Sequence, residues 1–121
     1  MDLKVLRDIY SPPRELLTTD VESVMVKTGV MEKQESDTES HEFWHDIYIV
    51  TSGEGVLLEA DSMHGAEDTG EGEKRRGQLK GVKEHDLKEG TIVFIPAGCP
   101  HMVKVPDRLT MVVLKLKKKA V

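Results

Sequence analysis

Two short segments concentrate the residue types that bind metals and move protons. The first, ESHEFWHDIYIV (residues 39–50), places Glu39, His41, His45 and Asp46 ahead of an apolar, β-rich run; the second, GTIVFIPAGCPH (residues 90–101), delivers His101 after a proline–glycine turn. Imidazoles with carboxylates form a mixed nitrogen and oxygen donor set. Such a set suits Fe(II), Mn(II), Ni(II) or Zn(II), and two histidines with one carboxylate leave positions open for substrate or dioxygen. In an extended chain, residues two apart face the same side, so Glu39 and His41 point together. By the same rule Asp46, Tyr48 and Val50 share one face of the next strand, and Ile47 and Ile49 the other. His45 adjoins Asp46 and faces away in a regular strand; a bend at Trp44–His45 would bring it in. His101 without a metal also suits acid–base or binding work near neutral pH, which keeps a metal-free reading open.

The elements that must hold these residues read as strands. Val21, Val24, Met25, Val26 and Val30 lie in a β-branched segment interrupted at Gly29, and the polar residues 31–40 read as a solvated loop. Ile47 to Val50 form a short strand, and Gly53-x-Gly55 suits a hairpin turn before Val56-Leu57-Leu58. Residues 59–81 are glycine-rich and charged, and read as a long surface excursion in which His64 is solvated, as is His85 just beyond it. Strand texture returns at Gln78-Leu79, at Ile92 to Ile95, at Met102 to Val105 and at Leu109 to Leu116. Pro12-Pro13 stiffens a lead-in in which residues 14–18 suit a helical turn, and KLKKK reads as a solvated basic tail. Phe94 and the methionines suit core positions, and Cys99 reads as a buried, inert thiol. Many short strands separated by turn signals predict an all-β sandwich or barrel.

The bulk properties narrow the partners. A chain of 121 residues makes one domain. Its composition, 38% hydrophobic and 32% charged, is that of a soluble protein. A formal charge of −5 argues against nucleic acid. The single cysteine fits a reducing compartment, no apolar run approaches the ~20 residues of a membrane span, and MDLKVLRDIY lacks the apolar stretch of a signal peptide. A cytoplasmic location is expected.

The two chemistry-bearing segments resemble the two signature motifs of the cupin superfamily. Gly90-x5-Pro96-x-Gly98-x2-His101 matches every fixed position of the second motif, G-x5-P-x-G-x2-H, although Val105 stands where an asparagine is frequent and Thr91 where an aspartate is. The first motif, H-x-H-x(3,4)-E-x6-G, is matched in altered form by Glu39-x-His41-x4-Asp46-x6-Gly53, with Glu39 replacing a histidine and Asp46 a glutamate. The resemblance implies an all-β cupin-type double-stranded β-helix, or jelly-roll barrel. It spans residues 20–116 as a single domain, between a lead-in at 1–19 and a tail at 117–121. It further implies one divalent transition metal on His41, Asp46 and His101, completed by Glu39 or His45. An unligated Glu39 would shuttle a proton, and Tyr48 would line the cavity and donate to a ligand or pack with a wet hydroxyl. Cupins act on small molecules as dioxygenases, isomerases or lyases, or bind them without turnover, and commonly form homodimers. The altered first motif favours the non-catalytic alternative.

Overall fold

The computed structural model describes residues 9–10 and 21–119, so the expected lead-in turn at 14–18 lies outside the described residues. Those described form eleven strands and no helix. They are β1 (Ile9–Tyr10), β2 (Val21–Glu35), β3 (Glu39–His41), β4 (Trp44–Glu59), β5 (Ser62–His64), β6 (Glu67–Gly70), β7 (Glu73–Arg75), β8 (Gln78–Lys80), β9 (Lys83–Lys88), β10 (Ile92–Ile95) and β11 (His101–Lys118).

Two long antiparallel strands, β4 and β11, organise the jelly roll. Trp44 to Gly53 pair with Leu109 to Lys117, and Val56 to Glu59 pair with His101 to Lys104, with an irregularity between the halves. Both strands bend there. The first half of β4 carries β10 on its other edge, the second half carries β9, and β2 runs along β11. Between the two resulting layers lie Tyr48, Val50, Leu57, Leu87, Val93, Ile95, Val103, Val105, Leu109 and Met111, all buried. On β4 the alternation is regular: Asp46, Tyr48 and Val50 are buried, and Ile47 and Ile49 are half-buried on the outer face.

The bend replaces the hairpin expected at Gly53-x-Gly55. Gly53 sits inside β4 at φ +80°, and a Cβ there would collide with the Arg108 carbonyl oxygen. The glycine is thus needed for a corner within one strand rather than for a turn between two. Opposite, Pro106 falls in the irregular stretch of β11 between Val105 and Arg108, where no ladder bond asks for its missing N–H.

Three other expectations are corrected. Residues 31–35 continue β2 instead of opening a loop, because they stay in ladder register with β11 as far as Lys104↔Glu35 and Met31 packs on the core. The 59–81 excursion is folded, as β5 to β8, and β7 pairs with β3. Of these strands only β8, at Gln78-Leu79, shows strand texture in sequence, and the others are too polar to do so. The KLKKK run, expected to be solvated, stays in β11 as far as Lys118, and Lys115, within the expected strand Leu109 to Leu116, lies directly across from Asp46.

Candidate metal centre

Glu39, His41, Asp46 and His101 come together, from β3, β4 and β11. The register His101↔Glu39 puts two of them side by side, and the two-residue step along β3 adds His41 on the same face. His41 Nε2 lies 3.3 Å from Glu39 Oε1 and 3.3 Å from Asp46 Oδ2; His101 Nε2 lies 3.5 Å and 3.9 Å from the same two oxygens. The imidazole centroids are 5.3 Å apart. Asp46 and His101 are buried, with 2% and 1% of their side chains exposed, while Glu39 is 20% exposed.

The two Nε2 atoms are buried and make no hydrogen bond among the described residues. Their neighbours are carboxylate oxygens at ion-pair range but off the hydrogen-bond line. Donor atoms of Glu39, His41 and His101 all lie within 4.8 Å of one another, a grouping that could hold a metal ion, and Asp46 flanks it beside the two imidazoles. An ion ~2.1 Å from each donor sets adjacent donors about 3.0–3.4 Å apart, close to the 3.3 and 3.5 Å between Glu39 Oε1 and the two imidazole nitrogens.

The outer atoms of all four residues are held. His41 Nδ1 donates to Glu73 Oε1 at 2.7 Å and His101 Nδ1 to the Cys99 carbonyl at 2.9 Å, which makes Nε2 the lone-pair atom of each ring in its neutral form. Arg75 Nη1 holds Glu39 Oε2 at 3.0 Å, and Lys115 Nζ holds Asp46 Oδ1 at 2.8 Å. Each ligand candidate thus presents one atom inward and anchors the other. Glu73 and Arg75 both come from β7, which pairs residue by residue with β3 through Glu39↔Arg75 and His41↔Glu73. Gly72 seats that strand: at φ +76°, a Cβ there would lie 2.8 Å from the Phe43 ring, and its carbonyl accepts the Glu42 N–H.

Electrostatics follow from this crowding. Burial resists ionisation of Glu39 and Asp46, yet both are held below the usual carboxylate range, Glu39 by His101 and His41 and Asp46 by His41 and Lys115. Burial also resists charge on His41, but Asp46 and Glu39 outweigh it and raise the imidazole to about 10. Tyr48, buried edge-on to His101 at 6.4 Å, keeps its proton, because burial, Asp46 and Glu39 all push the phenol well above 10.

His45 does not join the group. It lies on the opposite face of β4 from Asp46, accepts the Ala97 N–H at Nδ1 (2.8 Å) and rests against Phe94, so it braces the proline–glycine turn that aims His101. His64 is exposed, beside Ser62. His85, expected in solvent, instead pairs with the buried Glu59 at 3.0 Å. The Cys99 thiol stands 3.9 Å from Glu59, and burial with that carboxylate raises it to about 11, as befits an inert thiol. Sequence reading missed Glu73, Arg75 and Lys115. The one local signal was Glu73-x-Arg75, which repeats the two-residue step of Glu39-x-His41.

No protein-family model matches the chain, and no curated protein matches it in sequence. Solved structures do match. A cupin superfamily protein from Desulfitobacterium hafniense aligns over 78% of this chain and 67% of its own, at 17% identity and a TM-score of 0.53. An oxalate oxidase aligns over 78% and 42%, at 18% identity and 0.58. The chain has the cupin fold. A third structure of this kind, the DMSP lyase DddQ from Ruegeria pomeroyi, aligns over 82% and 39%, at 20% identity and 0.52. The chain thus spans about two fifths of the length of the two enzymes, and at such identities the likeness is one of cupin fold alone.

Proposed function

We propose that this protein is a metal-dependent cupin in which Glu39, His41, Asp46 and His101 hold one divalent transition metal, Fe, Mn, Ni or Zn. The observation that carries this is the pair of buried Nε2 atoms, unbonded yet each within 4 Å of the same two carboxylate oxygens. Buried polar atoms are rarely left without partners, and these two nitrogens and the Glu39 carboxylate lie within 4.8 Å of one another, with Asp46 alongside. Two nitrogens and two oxygens suit the borderline metals and leave room in a five- or six-coordinate shell for a small molecule.

When bound, the ion would supply Lewis acidity or a place for dioxygen. The chain's own residues do the rest. Glu73 and the Cys99 carbonyl fix the imidazole tautomers, Lys115 and Arg75 restrict both carboxylates to one inward oxygen, and Tyr48 offers a neutral O–H to a bound ligand. This is the equipment of a small-molecule enzyme, and the structural likeness to an oxalate oxidase and a DMSP lyase supports turnover. The alternative is a cupin that binds or senses its ligand without reaction. A homodimer belongs to the same reading, since Val24, Val26 and Val30 stand exposed along β2.

Metal analysis of wild type, His41→Ala, His101→Ala and His45→Ala tests the ligand set. Close to one equivalent is expected in wild type and His45→Ala, and almost none in the other two. Less than about a tenth of an equivalent in wild type after reconstitution sinks the proposal.

A further inference from the structure

The charges around the centre point to the class of molecule it receives, an inference that rests on the metal reading above. Glu39, Asp46 and Glu73 contribute three negative charges, and Arg75 and Lys115 two positive ones, within one chain of contacts. With both imidazoles neutral, as a metal on each Nε2 requires, that sum is −1. A divalent ion turns it to +1. A partly buried net charge of this kind favours a counter-ion in the remaining coordination positions.

The two cations differ in what they have left to give. Lys115 is 16% exposed and spent on Asp46. Arg75 is 38% exposed and, among the described residues, pairs only with Glu39, using one nitrogen of a five-donor guanidinium. Exposure falls from Arg75 at 38% through Glu39 at 20% to His101 at 1%, so the guanidinium is the solvent-facing member of the contacts that lead to the metal donors. Arg75 and Glu73 leave β7 two residues apart, on one face, towards Glu39 and His41. We propose that this site takes a small organic carboxylate, recognised by Arg75 beside the metal. A planar guanidinium matches a carboxylate in shape and charge, which a neutral isostere does not offer.

The alternative role for Arg75 is solely to clamp Glu39, and the two roles separate experimentally. Manganese-loaded protein is titrated with lactate and with its neutral isostere lactamide, binding being read from the Mn(II) electron paramagnetic resonance spectrum and metal content measured in the same samples. One lactate per manganese is expected, with lactamide at least about tenfold weaker. In Arg75→Gln protein loaded to the wild-type manganese content, lactate binding is expected to weaken by about tenfold or more and lactamide binding by far less. Equal binding of the two probes to wild type overturns the proposal, as does unchanged lactate affinity in a manganese-retaining Arg75→Gln protein. If that variant sheds its metal, the wild-type ratio decides alone, and a preference for lactate under about threefold overturns the proposal. Wild type that takes up no manganese fails at the metal reading, and both proposals fall together.

Discussion

His41 is held at both ring nitrogens: Glu73 fixes Nδ1, and Nε2 faces Glu39 and Asp46. Glu73→Gln keeps a hydrogen bond to Nδ1 but removes the charge that makes the imidazole a better donor. A 10–100-fold loss of metal affinity is expected, by analogy with other outer partners of metal-bound histidines, and is measured by competition with a chromophoric chelator. Without metal, the His41 pKa of about 10 lies above its ordinary 6.5. Its contribution to stability is then full below about 6.5 and lost as pH rises through about 10. Metal-free protein should therefore melt lower at pH 10 than at pH 7, and His41→Gln should flatten that slope. Because metal must displace the His41 proton, its affinity should rise about tenfold per unit between pH 7 and 9. Glu39, His41, Asp46 and His101 were legible in sequence, since fixed spacings to Gly53 and Pro96 single them out. Lys115 was not, because it reaches Asp46 through cross-strand register, over 69 residues of chain.

At the scale of elements, the site depends on β7 as much as on the strands that carry the donors. Gly72→Ala changes no side chain of the site, but its Cβ would press on Phe43 and Glu42 at a positive φ. Undocking β7 would loosen Glu73 and Arg75 together, so metal affinity should fall by about tenfold or more with the four inner residues intact. Gly53→Ala should act differently. It strains the corner of β4 against the Arg108 carbonyl and is expected to lower unfolding stability by about 2 kcal/mol or more in urea titrations. The strands of the core were legible from their β-branched runs, and β10 was read with its true bounds, Ile92–Ile95. The polar strands β3, β6 and β7 were not, because ladder bonds and ion pairs rather than an apolar face hold them, and β9 was not, because Leu87 is its one core side chain among polar neighbours.

At the scale of the whole molecule, β3, β4, β7 and β11 meet at one end of a jelly roll whose apolar interior begins just below, at Tyr48 and Val103. Binding at such a junction links metal to folding. An ion at 100 times its dissociation constant adds about 2.7 kcal/mol to stability, so a chelator should lower the melting temperature by roughly 10 °C. The jelly roll itself was legible from the second motif and the strand texture, whereas the layering was not, because β4 and β11 each pass through both layers by bending inside the strand. The most direct measurement is a crystal structure of manganese-loaded protein with anomalous diffraction. A single anomalous peak is expected about 2.1–2.2 Å from Glu39 Oε1, His41 Nε2, Asp46 Oδ2 and His101 Nε2. A peak elsewhere, or none among these four atoms in protein that carries stoichiometric manganese, would contradict the account.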